Sequence, residues 1–309
     1  AGLRVPDGFV ITTAAYEHFI DANDLRAEID RRMQTADLED LETLYRLHAR
    51  LDRLIVEARV PADLEAAVTE AWQAMAAQGP PGMRAAMRSS ALGEDEKGSS
   101  FAGMHRSELN VSGDSLFDAY KQIVASKYSL PAITYRLNKG FRDEDIAMCV
   151  GCLAMLDTVA GGVMYSRNPF DLNDRNIVIN SAWGLPKAVV DGSVDGDLFV
   201  VDRGRPQRII QREIRPKERR FTCYPEEGVC RLDIMDEGLR LRASLEDAQA
   251  QLGIFGDAPF SPAADLLQHL LAHHGHGTVL DDGVTLVTGH HADIEEAGIF
   301  AITHRLEGI

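Results

Sequence analysis

The chain has 309 residues, 45% hydrophobic and 26% charged, which provides a sizeable core and favours more than one structural lobe. Lys and Arg number 32 against 48 Asp and Glu, a net charge of −16 that argues against nucleic-acid coating and membrane docking. The four cysteines are too few for a disulfide scaffold, the apolar run 146–156 is too short to span a bilayer, and no secretory leader pattern opens the chain; the expectation is a soluble, cytoplasmic protein.

In chain order, Val5-Pro6-Asp7-Gly8 predicts a turn into a short strand, after which Thr12 or Thr13 caps a helix through Phe19 and Ile20. From Leu25 to about Gln78 the pattern is helical. Leu38, Leu41, Leu44, Leu47, Leu51, Leu54 and Ile55 recur at spacings of three and four, and Leu64, Val68 and Trp72 continue the stripe beyond Pro61. Gly79-Pro80-Pro81-Gly82 breaks the helical region. Residues 83–90 then alternate as a strand, 91–103 form a Gly-, Ser- and acid-rich loop, 105–111 return as a strand and 115–128 read as an amphipathic helix. Strands are predicted at 146–156 and 162–166, separated by a tight Ala160-Gly161-Gly162 turn, and again at 176–181 and 198–202. A helix over 263–272 and short strands near 285–287 and 299–302 complete an α+β pattern.

Arg88-Ser89-Ser90 at a strand end, followed by a loop with Gly93, Lys97, Gly98 and Gly103, is the chemistry of a phosphate cradle. A guanidinium supplies paired charged donors, and glycine lets backbone N–H groups approach an anion. The block Met87–Val111 resembles the signature of the nucleotide-binding domain of the PEP synthase and pyruvate phosphate dikinase family. Val5–Phe19, Gly161–Asp171 and Ile179–Val201 are similar to the same family in the same order.

The resemblance implies an ATP-grasp-like fold of two to three lobes with the nucleotide cleft between them and a helical region near the N-terminus. The division it suggests is a nucleotide-binding region over 1–243, helical at 13–78 and strand-rich at 83–243, followed by a divergent part over 244–309. It implies ATP and Mg as ligands, Arg88 on the phosphates, Ser99, Phe101, Ala102 and Gly103 in a covering loop, and Arg167 near the cleft. Val189 and Val190 match the hinge whose backbone reads the adenine edge. Lys187 stands beside it, where relatives carry a glutamate.

At the far end Asp293 and Glu295 resemble metal ligands and Arg305 a phosphate ligand; a second register, placing 286–290 over the last family strand, stays open. The implied activity delivers phosphoryl from Mg-ATP to a histidine on a domain outside this chain, with phosphohistidine and pyruvate/PEP-binding domains as partners in cis or trans. Two rivals are the same module serving another acceptor, such as an antibiotic or a glucan, and a degenerate nucleotide sensor or scaffold without phosphoryl transfer. Cys149 and Cys152 read as buried free thiols, since residues three apart on a strand face opposite ways. The histidines crowded into 269–304 read as a polar surface, not as the phosphoryl carrier.

Overall fold

The computed structural model describes residues 6–36, 40–91, 106–156, 158–165, 168–169, 171, 173–204, 207–247, 250, 284–291 and 294–302. They divide into two units, with the chain passing from one to the other between Met155 and Leu156. Both combine helices with antiparallel sheets, as the α+β pattern requires.

In the N-terminal unit, β1 (Gly8–Ile11) leads into α1 (Thr13–Ala22), whose first turn is capped by the Thr12 hydroxyl accepting from the Ala15 N–H. Helices α2 (Leu25–Thr35), α3 (Leu41–Val56) and α4 (Ala62–Gln78) fill the predicted helical region. Leu44, Leu47, Leu51 and Ile55 line the buried face of α3, while Leu41 at its start lies 64% exposed; Leu38 falls outside the described residues. Burying each such side chain contributes about 1.5–3 kcal/mol.

Strands β2 (Ala85–Ala91) and β3 (Ser107–Val111) precede α5 (Leu116–Ala125), α6 (Leu130–Lys139) and β4 (Met148–Ala154). The sequence reading passed over α6, although its ends are marked. Ser129 caps it, Pro131 sits in its first turn, and Gly140 closes it at φ 72°. The four strands form one sheet in the order β1-β4-β2-β3. Ala85 and Met87 face the helices, where Phe19 and Tyr120 pack edge-to-face at 5.7 Å.

One polar cluster is buried in this unit. The Lys127 ammonium donates to the Tyr16 hydroxyl at 2.8 Å and to the Asp143 backbone oxygen and carboxylate at 3.0 and 3.2 Å. Tyr128 donates to the same carboxylate at 2.9 Å, and Arg136 pairs with its other oxygen. Burial lowers the Lys127 pKa to about 8 against the pull of Asp143. Burial acts to raise the Asp143 pKa too, but Lys127 and Arg136 outweigh it and hold the carboxyl below its ordinary value.

The second unit begins at β5 (Ala160–Tyr165), so Gly161 and Gly162 lie inside a strand and not in the predicted turn. The reason is close approach. A Cβ at Gly162 would sit 2.0 Å from the Asn180 carbonyl oxygen, and one at Gly161 would sit 2.7 Å from the Pro186 ring. Strand β6 (Ile177–Trp183), the single turn α7 (Lys187–Val190), β7 (Asp197–Val201) and β8 (Ile209–Glu213) follow. A separate hairpin, β9 (Arg219–Tyr224) and β10 (Val229–Ile234), precedes the short α8 (Glu237–Arg240). The strands β11 (Val284–His291) and β12 (Ile294–Ile302) extend the two short strands read from sequence and complete a six-stranded sheet, β11-β12-β5-β6-β7-β8. The predicted helix at 263–272 lies outside the described residues.

Asp197 and Lys217, both fully buried, form an ion pair in this unit. The other Asp197 oxygen accepts from the Ser244 N–H and hydroxyl at 2.7 Å each, and Ser244 meets the Ser181 hydroxyl at 2.8 Å.

Asp143→Asn removes the carboxylate shared by two buried cations and is expected to cost about 3–5 kcal/mol of stability in urea unfolding. The sign in acid follows from the lowered pKa. The contribution of Asp143 is fully present above the ordinary carboxyl range and is lost as pH falls through its lower folded value. The stability difference between parent and variant therefore shrinks in acid.

Candidate functional site

Arg88 occupies the interior of β2, on the sheet face opposite to Ala85 and Met87. Across the ladder it pairs with Gly151 of β4 on one side and Ser107 of β3 on the other. Gly151 presents no side chain, and Val10 of β1 lies beyond it. Arg88 is half-buried, and its Nε is shielded from solvent without a hydrogen-bond partner among the described residues. Burial alone shifts its pKa, downward from the ordinary guanidinium value.

The contrast with the other buried cations is informative. Lys127 and Arg136 share Asp143, and Lys217 faces Asp197. Among the described residues no carboxylate answers Arg88. A desolvated cation left without an anion costs free energy, so its place is accounted for when an anionic ligand completes it. A phosphate oxygen pair matches the guanidinium fork in charge and spacing.

Ser89 and Ser90 continue β2 opposite Val150 and Cys149 of β4. The segment that carries Ser99, Phe101, Ala102 and Gly103 lies outside the described residues, but its flanking strands are described. It leaves β2 after Ala91 and returns to β3 at Ser107, the residue paired with Arg88. The connection thus leaves β2 beyond Arg88 and returns at the residue of β3 that pairs with it.

In the second unit α7 carries Lys187, Val189 and Val190. The Lys187 ammonium binds the Asp191 carboxylate at 2.6 Å and sits 5.5 Å from the centre of the Phe221 ring. Burial tends to raise the Asp191 pKa, but Lys187 and Ser193 bring it below its ordinary value. The N–H groups of Val189 and Val190 both donate to the Pro186 carbonyl, at 3.0 and 3.1 Å, so this turn uses them internally. The Val190 side chain is 54% exposed. Lys187 and Asp191 stand at the i,i+4 spacing of a helical ion pair, a signal present in the sequence itself.

Glu295 lies near the start of β12, which pairs with β5, Ala297 standing opposite Tyr165. Arg167, Asp293 and Arg305 fall outside the described residues. The described residues contain no cluster of three His, Cys, Asp or Glu side chains able to hold a metal. Cys149 and Cys152 are buried free thiols, as expected, and burial pushes Cys152 up to about 12. No helix among the described residues is long and apolar enough to cross a membrane.

Residues 1–281 match the family described as pyruvate phosphate dikinase, AMP/ATP-binding domain. The chain is 33% identical to the probable phosphoenolpyruvate synthase of Methanocaldococcus jannaschii over 249 residues, covering 80% of this chain and 21% of that protein. It is 33% identical to the phosphoenolpyruvate synthase of Neisseria meningitidis over 261 residues, covering 80% and 33%. With the phosphoenolpyruvate synthase of Escherichia coli K12 the identity is 32% over 232 residues, covering 72% and 29%. The chain therefore spans about a fifth to a third of the length of these relatives.

Arg88→Met replaces a desolvated, unanswered charge by an apolar chain of similar reach. The variant is expected to be at least as stable as the parent in the absence of ligand, with a gain of up to about 2 kcal/mol in chemical unfolding. A loss exceeding about 1 kcal/mol would mean that Arg88 is paired within the fold.

Proposed function

The chain belongs to the pyruvate phosphate dikinase AMP/ATP-binding domain family, and on that premise we propose that it is the ATP-binding module of a phosphotransferase. The module delivers a phosphoryl group from Mg-ATP to a histidine on a domain outside this chain. The observation that carries the reading is Arg88, a half-buried guanidinium whose shielded Nε has no partner, and no anion, among the described residues. Phosphoryl transfer depends on charge neutralisation and in-line positioning, which is work for such a group.

In this proposal the two units are lobes of an ATP-grasp-like fold and Arg88 holds the ATP phosphates. The connection bearing Ser99, Phe101, Ala102 and Gly103 closes over them, since it returns to the sheet at Ser107, opposite Arg88. Arg167 and Arg305 add positive charge around the phosphates. Val189 and Val190 serve the base end through their side chains, because their N–H groups are engaged with Pro186. Asp293 and Glu295 would hold magnesium, which supplies charge neutralisation between phosphates when bound.

One ground for the sensor reading weakens, because the Lys187 charge is taken up by Asp191 and Phe221. In this proposal the acceptor histidine and the pyruvate- or PEP-binding parts belong to a longer cytoplasmic assembly, a reading supported by relatives of which this chain covers 21% and 33%.

Calorimetric titration with Mg-ATP tests the proposal. The parent chain is expected to bind, and Arg88→Ala to weaken binding roughly 30- to 150-fold, equivalent to about 2–3 kcal/mol. Arg88→Lys should recover part of this, since a point ammonium lacks the planar fork. Absence of binding at about millimolar nucleotide, an affinity near −4 kcal/mol, would overturn the reading. Incubated with ATP, magnesium and pyruvate, the chain alone is expected to yield no phosphoenolpyruvate by phosphorus NMR.

A further inference from the structure

Cys223 of β9 and Cys230 of β10 stand directly opposite each other in the hairpin ladder and are joined as a disulfide. The sequence reading counted too few cysteines for a scaffold, and this bond is not one. Both cysteines are only half-buried, and no described residue of β9 or β10 belongs to an apolar core. The hairpin is instead held at its base, by the buried Lys217 before β9 and the buried Met235 after β10. It also exposes apolar side chains, with Ile234 80% and Val229 41% accessible. A two-stranded ribbon with so little apolar burial is marginal by itself, so a covalent cross-link has a large local effect and a small global one.

The hairpin also supports α7. The Leu185 N–H donates to the Phe221 carbonyl at 2.8 Å, Gly184 forms a parallel bridge with Phe221, and Lys187 rests on the Phe221 ring. Phe221 lies two residues from Cys223 in the same strand. The remaining cysteines are of another kind, since Cys149 and Cys152 are buried in β4 and burial raises the Cys152 thiol to about 12. Thiol–disulfide chemistry in the described residues is therefore concentrated in one accessible pair.

We propose that Cys223–Cys230 is a reversible thiol–disulfide exchange site whose state sets the local stability of the hairpin and of the α7 turn resting on it. An external dithiol attacks one sulfur to form a mixed disulfide, and its second thiol then displaces the protein sulfur. Two electrons and two protons pass to the protein, giving two cysteine thiols and a cyclic disulfide. A small-molecule disulfide such as oxidised glutathione takes the electrons back in the reverse direction.

The test uses the full chain. Thiols are titrated in the native protein before and after dithiothreitol, and again after oxidised glutathione, while hydrogen exchange is followed by mass spectrometry. Reduction is expected to expose two further thiols reversibly and to speed amide exchange in 184–191 and 219–234 by roughly 10- to 50-fold, with α5 unchanged. A double variant, Cys223→Ser with Cys230→Ser, should behave as the reduced form under both conditions. A pair that resists dithiothreitol in the native chain, one that does not re-form with oxidised glutathione, or unchanged exchange in 184–191 after reduction would overturn the proposal.

Discussion

Removing a guanidinium from water without giving it a carboxylate costs free energy that a folded chain seldom bears without a use for it. Half-buried Arg88 meets that condition at its shielded Nε, which has no partner among the described residues. Met87 and Ala85 on the opposite face of β2 lock the strand into the helix-covered core. Gly151 of β4 leaves the position beside Arg88 without a side chain. The strand is thus fixed by burial on one face while the arginine is kept available on the other.

The internal ion networks show what the chain does when a charge is meant to stay satisfied. Asp143 joins groups from α1, from the residues after α5 and from α6 at one carboxylate. Tyr16 is linked to that carboxylate through Lys127. Asp197 does the same in the second unit, linking β7 to Lys217 and Ser244 through both its oxygens. Each joins segments distant in sequence, a role that apolar packing alone specifies less sharply. Arg88 departs from this pattern, and the departure distinguishes a binding group from a structural one.

Much of the fold was legible because local physics decides it. Thr12 announces the cap of α1, and the Leu44-Leu47-Leu51-Ile55 spacing gives the buried face of α3. Gly161 and Gly162 were misread as a turn because composition does not distinguish a glycine that bends the chain from one that admits a neighbouring backbone. The Cys223–Cys230 pair depended on ladder register and the Asp197–Lys217 pair on how the segment between β8 and β9 folds back, neither of which one sequence reveals. In the site, the Arg88-Ser89-Ser90 motif gave the position of the arginine, whereas its lack of an internal partner required coordinates. The tie between Lys187 and Asp191 is carried by the i,i+4 spacing alone, which comparison of Lys187 with the family glutamate obscures.

The central claim is that Arg88 exists to meet an anion. The most direct measurement follows the Arg88 Nε–Hε resonance by nitrogen-15 NMR during titration with ATP, assigning it by its disappearance in Arg88→Lys. The account predicts a saturable shift of this resonance, with the Arg136 side chain, already paired with Asp143, unaffected. An Arg88 signal that stays in place while the protein is saturated with ATP would contradict it.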